Sequence, residues 1–150
     1  MPFYQATTPR SYLGWGKSHG LGTGLGLAIG AKLASPDKMC VNFMGDAAFG
    51  MIGLDFETSV RANLPITTVV LNNGGMATYP GGFPTARETY GVSHMYGDYA
   101  RIAEGMGAIG ITIIGSEEIA PALKKAQQLN ADGKTVLLDI HTRFENRRSP

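Results

Sequence analysis

Two short apolar runs with a helix-like segment between them are the feature that most constrains this fold. Residues 39–44 and 67–71 have the length and the β-branched and aromatic content of strands in a parallel sheet that is covered on both faces. Between them, apolar side chains recur at helical spacing until Pro65 ends the helix, at Phe49, Ile52, Phe56 and Val60. The stretch therefore predicts a βαβ unit of an α/β domain.

A polar side chain follows each of the two predicted strands. Asp46 comes after the first strand and Asn73 after the second, and parallel strands place both on the edge of the sheet where open α/β sheets bind ligands. Carboxylate and amide oxygens are ligands that Mg²⁺ takes together with substrate phosphates. Gly45, Ala47 and Ala48 are small enough for backbone N–H groups to approach an anion at the helix start. We predict a phosphate-bearing cofactor bridged by Mg²⁺.

The same residues resemble a known signature. Gly45-Asp46-Ala47 with Asn72-Asn73 is similar, in residues and in spacing, to the GDG…NN signature of thiamine diphosphate (ThDP) enzymes. Residues 20–38 resemble the glycine-rich stretch that precedes this signature in the acetolactate synthase branch, and a weaker resemblance continues to residue 140. The resemblance implies the C-terminal diphosphate-binding domain of such an enzyme. It also implies a three-layer α/β/α fold with a mostly parallel sheet.

The resemblance assigns site residues by position. Asp46, Asn73 and the main-chain carbonyl of Gly75 would hold Mg²⁺, and Met76 would support the bent cofactor. The positions that would contact ThDP are His19, Gly20, Leu21, Gly22, Gly45, Asp46, Ala47, Ala48, Asn73, Gly75 and Met76. This sequence departs from the usual pattern at three positions, where the family commonly has Gly, Glu and Gly, namely Ala47, Asp55 and His19.

Composition excludes several other classes of protein. The chain has 150 residues, the size of one domain. Its net charge is +1, with 13 Lys and Arg against 12 Asp and Glu, which supports neither a nucleic-acid-binding surface nor a polybasic membrane segment. The single Cys40 cannot form an internal disulfide, and residues 1–10 lack the apolar core of a signal peptide. We therefore expect a cytoplasmic protein with no nucleic-acid or membrane partner.

A stripe of small residues precedes the first strand. Gly22, Gly26 and Gly30 recur at every fourth position, a spacing that lets a helix backbone approach a neighbour closely. A dinucleotide fingerprint does not fit, because the third glycine position counted from Gly24 is Ile29. Two interpretations remain open: glycines that serve helix packing alone, and glycines that belong to the cofactor site.

Residues 74–97 are rich in glycine and show no period, so we predict a functional loop that covers the reactive end of the cofactor. Arg87 is the best candidate to bind a substrate carboxylate, because its guanidinium can form a bidentate contact. Weaker candidates for substrate contact are Tyr79, Phe83 and His94.

Helices and strands are predicted to alternate after this loop. Asp98 is predicted to cap a helix that ends near residue 106, and residues 111–114 form a third strand. Ser116 is predicted to cap a helix through residue 129, and residues 136–140 form a fourth strand.

The resemblance implies decarboxylation and carboligation of a 2-oxo acid substrate, in the manner of acetolactate synthase. A ThDP-dependent decarboxylase or C–C hydrolase is the related alternative, and a non-catalytic ThDP-binding or interaction domain is the alternative from another class. We expect residues 1–150 to be a single domain truncated on its N-terminal side. A partner domain or subunit that binds the pyrimidine would supply the catalytic Glu, so we expect no catalytic residue in this chain and a homo- or hetero-oligomer.

Overall fold

A computed structural model describes residues 4–14, 20–76, 82–92 and 94–144. Within them, four parallel strands form one sheet in the order β1-β2-β4-β3. The strands are β1 (Val41–Gly45), β2 (Thr67–Asn72), β3 (Ile109–Ile113) and β4 (Val136–His141). All four predicted strands lie within two residues of the observed ones at each end, and the largest shifts are at the starts of β1 and β3.

Helices cover both faces of the sheet. The helices are α1 (Gly24–Ala34), α2 (Asp46–Ile52), α3 (Phe56–Arg61), α4 (Pro84–Tyr90), α5 (Tyr99–Gly105) and α6 (Ile119–Ala131). One apolar cluster joins one face of the sheet to α1, α2, α3 and α5, and a second joins the opposite face to α6. This arrangement confirms the predicted α/β/α layering around a parallel sheet.

The crossover between β1 and β2 differs from the single helix that the spacing predicts. A 3-10 turn, Gly53–Asp55, separates α2 from α3. The ring of Phe49 lies so close to Gly53 that an added Cβ would be 2.7 Å from its Cε1. Phe49 and Phe56 still pack edge to face in the core, with ring centroids 6.1 Å apart, so the apolar spacing identified the buried face correctly.

The stripe of small residues is not the face that α1 packs against the rest of the described structure. Gly26 and Gly30 are exposed, and a Cβ added at either would meet no atom within 4 Å in the described structure. The helix buries Leu25 and Ala28 instead. A larger apolar side chain gains more from burial than a glycine does, and this gain decides which face turns inward.

The end of α1 is fixed by a buried lysine. The side chain of Lys32 is 7% exposed, and its Nζ donates hydrogen bonds to the carbonyl oxygens of Pro36 at 2.7 Å and Lys38 at 2.8 Å. These bonds satisfy two backbone carbonyl groups of the turn that leads into β1.

Asp98 caps α5 as predicted, because its Oδ1 accepts a hydrogen bond from Arg101 N at 3.0 Å. The cap predicted at Ser116 is wrong. Ser116 begins a 3-10 turn that precedes α6, and Glu118 Oε2 accepts the N–H groups of Ile114 at 3.0 Å and Gly115 at 2.8 Å. One oxygen of Glu118 accepts both bonds, and because the carboxylate is charged it is a stronger acceptor than the neutral hydroxyl of Ser116.

These two hydrogen bonds lower the pKa of Glu118 from its ordinary value of 4.5. A carboxyl group whose pKa is lower in the folded state stabilises the fold above its unfolded pKa and loses that effect as the pH falls through the folded pKa. Glu118→Gln should therefore unfold at lower urea concentration than the parent near neutral pH. The difference between the two midpoints should shrink as the pH falls below 4.5, the ordinary pKa of the group, and a difference that stays constant as the pH is lowered would contradict the cap.

No described helix combines the length and the apolar character that crossing a membrane requires. The predicted cytoplasmic location stays a prediction.

Candidate functional site

The carboxyl ends of β1 and β2 lie side by side at one edge of the sheet. Gly45, the last residue of β1, is level with Leu71 in β2. Asp46 is the first residue of α2, and Asn73 directly follows β2. The structure therefore brings the predicted acid and amide to the same edge, as the parallel arrangement of the two strands requires.

Asp46 is a buried carboxylate that organises the turn after β2. Its side chain is 2% exposed. One carboxylate oxygen accepts the N–H of Ala47 at 2.8 Å, and the other accepts the N–H of Gly74 at 2.9 Å. The second bond holds the peptide that follows Asn73 against the carboxylate, so the two chain segments meet at Asp46.

Asn73 forms a tight turn with the two glycines that follow it. Its Oδ1 accepts the N–H of Gly75 at 3.0 Å, and Gly74 has a φ of +68°, a conformation that favours glycine. Gly75 also forms an isolated antiparallel bridge with His94, and Met95 N donates to the carbonyl of Gly74 at 3.0 Å. The segment 73–76, which we call the Asn73 loop, is thus held from both sides.

The glycine turn before α1 lies against the start of α2. Gly22 is buried with a φ of +93°, and an added Cβ would lie 3.1 Å from the carbonyl oxygen of Ala48 and would overlap the side chain of Ile52. Gly20 and Leu21 are exposed. The structure therefore places Gly22 against α2, the helix that begins at Asp46, and the parts of Gly20, Leu21 and Gly22 in a cofactor site stay predictions.

The residues present fit a metal and a phosphate. Asp46 is buried, and the ion pairs among the described residues join Glu57 to Arg61, Asp98 to Arg101 and Asp139 to His141, so none of them neutralises it. A buried carboxylate without a cation is costly, and each of its oxygens retains a lone pair beyond its hydrogen bond. Gly45 has open space where a Cβ would stand. These observations suit Mg²⁺ next to a phosphate.

A group of three or more His, Cys, Asp or Glu side chains that could hold a metal is absent from the described residues. The predicted ligand set, one carboxylate, one amide and one carbonyl, does not require such a group. The binding of Mg²⁺ by this ligand set stays a prediction, as do the contacts of Ala47, Ala48 and Met76 with a cofactor.

The residues predicted to contact substrate are not brought together at one point in the described structure. Arg87 Nη2 donates to the carbonyl of Gly82 at 3.0 Å, so this bond stays within the region of α4. Phe83 is half-exposed ahead of α4, and the ring of His94 is stacked on those of Tyr96 and Phe144, with centroids 6.5 Å apart in each pair. Two further candidates, His19 and Tyr79, lie outside the described residues.

Two buried polar residues near the end of β2 were not identified from the sequence. Asp139 is fully buried in β4, and Tyr99, 4% exposed, begins α5. Burial raises the pKa of the Tyr99 hydroxyl, and the negative charges of Asp46 and Asp139 raise it further. The available signal was a charged residue inside an apolar strand, VLLDIH.

A buried acid and an amide at the carboxyl edge of a parallel sheet define a ligand-binding α/β domain. The profile of the family described as "Thiamine pyrophosphate enzyme, C-terminal TPP binding domain" matches residues 1–140. The chain belongs to this family, whose cofactor, thiamine pyrophosphate, is ThDP. This confirms the family predicted from Gly45-Asp46-Ala47 and Asn72-Asn73.

Relatives with different activities resemble the chain. It is 33% identical to 2-hydroxyacyl-CoA lyase 2 of Bos taurus over 138 residues, which are 88% of this chain and 22% of the relative. It is 28% identical to the acetolactate synthase large subunit of Corynebacterium glutamicum over 146 residues, 92% of this chain and 23% of the relative. The chain thus spans about a fifth to a quarter of the length of these curated relatives.

A solved structure has a similar fold. The thiamine diphosphate-dependent 4-hydroxybenzoylformate decarboxylase of Rhodococcus jostii RHA1 aligns with a TM-score of 0.71 and 28% identity, over 85% of this chain and 24% of that one. This similarity confirms the predicted fold.

Proposed function

We propose that this chain binds Mg²⁺ and ThDP as part of an enzyme that decarboxylates 2-oxo acids and ligates the product, as acetolactate synthase does. The single observation that carries the metal and cofactor part is Asp46, a buried carboxylate that holds the Asn73 loop at the carboxyl edge of the sheet. The similarity to an acetolactate synthase large subunit supports the carboligation part.

The residues of the chain would bind and orient the cofactor. Asp46, Asn73 and the carbonyl of Gly75 would hold Mg²⁺ against the diphosphate, and the backbone at the start of α2 would face the phosphates, where the helix dipole favours negative charge. ThDP, when bound, supplies the carbanion chemistry, and the protein supplies position and electrostatics. Met76, half-buried beside Gly75, would support the cofactor's bent shape.

A pyrimidine-binding domain or subunit is the proposed partner and the proposed source of the catalytic Glu. Two glutamates have other roles in the part of the chain that the structure describes: Glu57 pairs with Arg61 on the surface of α3, and Glu118 caps the start of α6. We therefore propose a homo- or hetero-oligomer in which this chain has little activity without its partner.

A second function is favoured by the names of the other relatives. One is a lyase and the solved structure is a decarboxylase, and a lyase or decarboxylase needs the same cofactor site with a different substrate pocket. The acetolactate synthase-like and the lyase or decarboxylase proposals therefore differ in substrate and not in the residues around Asp46.

The experiment is an assay of the full chain, with and without a chain that carries a pyrimidine-binding domain, in the presence of ThDP and Mg²⁺. The substrates are pyruvate, an aromatic 2-oxo acid and a 2-hydroxyacyl thioester. We expect CO₂ release and acetolactate from pyruvate only when the partner is added. Turnover of the aromatic acid or the thioester alone would favour the second function, and turnover of pyruvate by the chain alone would contradict the need for a partner.

A further inference from the structure

Asp139 is an unexpected residue inside the sheet. It lies in β4, between β2 and β3, and its side chain is fully buried. One carboxylate oxygen accepts Nδ2 of Asn72 at 3.0 Å, and the other accepts the N–H of Tyr99 at 3.1 Å. His141 Nε2 lies 3.7 Å from this second oxygen, on a half-exposed ring. The carboxylate thus joins the end of β2 to the start of α5.

Its partner Asn72 is the residue directly before the predicted metal ligand Asn73. Asn72 Nδ2 also lies 3.4 Å from the carbonyl oxygen of Gly97, and the Asn72 carbonyl accepts the N–H of Thr142 at 2.8 Å. Main chain and side chain of Asn72 are therefore fixed together. Because consecutive residues share a peptide plane, the direction in which the Asn73 loop leaves the sheet depends on this anchor.

We propose that Asp139 is a positioning residue for the metal site: through Asn72 it sets where Asn73 and the following glycine turn present their oxygens. The inference rests on the proposed binding of Mg²⁺ and ThDP. Residues that hydrogen-bond to metal ligands orient those ligands, and their removal lowers metal affinity about 10-fold to 100-fold. Asp46 holds the same loop from its other side, through Gly74.

An ionised carboxylate is the side chain that this position requires. Two donors, an amide Nδ2 and a backbone N–H, point at its two oxygens, and a carboxylate accepts at both. An asparagine at 139 has one oxygen and one NH₂ group. Its NH₂ group would therefore face either the Nδ2 of Asn72 or the N–H of Tyr99, which are both donors. Asp139→Asn therefore changes the anchor while it conserves the volume of the side chain.

The experiment compares Asp139→Asn and Asn72→Ala with the parent in the full chain. Mg²⁺ is titrated at saturating ThDP, and the EPR spectrum of Mn²⁺ bound with ThDP reports the ligand geometry. Each variant should bind Mg²⁺ at least about 10-fold more weakly and should alter the Mn²⁺ spectrum. The double variant should be little worse than either single variant, because both remove the same anchor.

Asp98→Asn is the matched control. Asp98 also accepts a hydrogen bond at the start of α5, but it is exposed, and both its hydrogen bond and its ion pair are with Arg101. It should lower thermal stability slightly and leave Mg²⁺ affinity and the Mn²⁺ spectrum unchanged. A change in Mg²⁺ affinity as large as that of Asp139→Asn would show a general effect of α5 and would overturn the proposal.

The remaining outcomes are also decisive. If Asp139→Asn does not fold, Asn72→Ala decides alone, since Asn72 is only partly buried. A parent that binds Mg²⁺ and ThDP, with Asn72→Ala binding equally well and giving the same Mn²⁺ spectrum, overturns this inference and leaves the proposed function standing. A parent that binds neither overturns both.

Discussion

Asp46→Ala is expected to abolish Mg²⁺-dependent binding of ThDP. The substitution removes the only ionised side chain from the predicted ligand set, whose other members are a neutral amide and a carbonyl. It also removes the acceptor that holds Gly74 at 2.9 Å, so the Asn73 loop loses its anchor on this side. Isothermal titration of ThDP in the presence of Mg²⁺ should show an affinity at least about 100-fold lower than that of the parent.

Two further variants make this result specific. Asn73→Ala should weaken binding nearly as much, because it removes the amide ligand and the bond to Gly75. Asp55→Asn is the matched control: it neutralises an exposed carboxylate in the turn after α2 and should leave binding near the parent value. If Asp46→Ala and Asn73→Ala bind ThDP like the parent, the metal site is assigned to the wrong residues.

Gly110→Ala is expected to cause the largest loss of stability among single-methyl additions in the sheet. Gly110 lies in β3 directly under the backbone of α5, and an added Cβ would be 2.6 Å from the carbonyl carbon of Ala100. Backbone atoms cannot move aside as a flexible side chain does, so α5 must shift away from the sheet. Urea denaturation should show a loss of about 3 kcal/mol in the free energy of unfolding.

Gly105→Ala is the control for that substitution. Gly105 ends α5, and a Cβ there would meet nothing within 4 Å in the described structure. Alanine has the higher helix propensity, so this variant should equal or exceed the parent in stability by up to about 1 kcal/mol. Equal effects of the two substitutions would contradict the close packing of α5 on β3.

The strands could be predicted because each is a short run of apolar and β-branched residues of the length typical of a strand. Residues 39–44 and 67–71 correspond to β1 and β2 with shifts of at most two residues, and the parallel arrangement then put Asp46 and Asn73 at one edge. This step requires only the handedness and direction of a βαβ unit. The buried face of the α2–α3 crossover could also be predicted, because apolar side chains recur at helical spacing along it.

The orientation of α1 could not be predicted from its glycines. A stripe at every fourth residue marks one face of a helix but does not say whether that face turns inward, and Leu25 and Ala28 compete for burial on another face. Helix α4 was missed although Pro84 at its start and Gly91, with a φ of +63°, at its end are ordinary helix boundaries. The glycines on either side of α4 led to the prediction of one continuous loop over residues 74–97.

The contacts of Asp139 depend on tertiary structure alone. Its partners Asn72 and Tyr99 are distant from it in sequence, so no local pattern links them. A charged residue inside an apolar strand predicts a buried acceptor, but only the folded structure shows that Asp139 binds Asn72 in the neighbouring strand β2 and Tyr99 at the start of α5.

We propose that Asp46 and the Asn73 loop bind the diphosphate of ThDP through Mg²⁺. The most direct measurement is titration of the full chain with ThDP, thiamine monophosphate and thiamine, each with Mg²⁺ and with a chelator. We predict binding of ThDP that requires Mg²⁺, weaker binding of the monophosphate and none of thiamine. Equal binding of thiamine and ThDP, or binding of ThDP that is unchanged by the chelator, would contradict the claim.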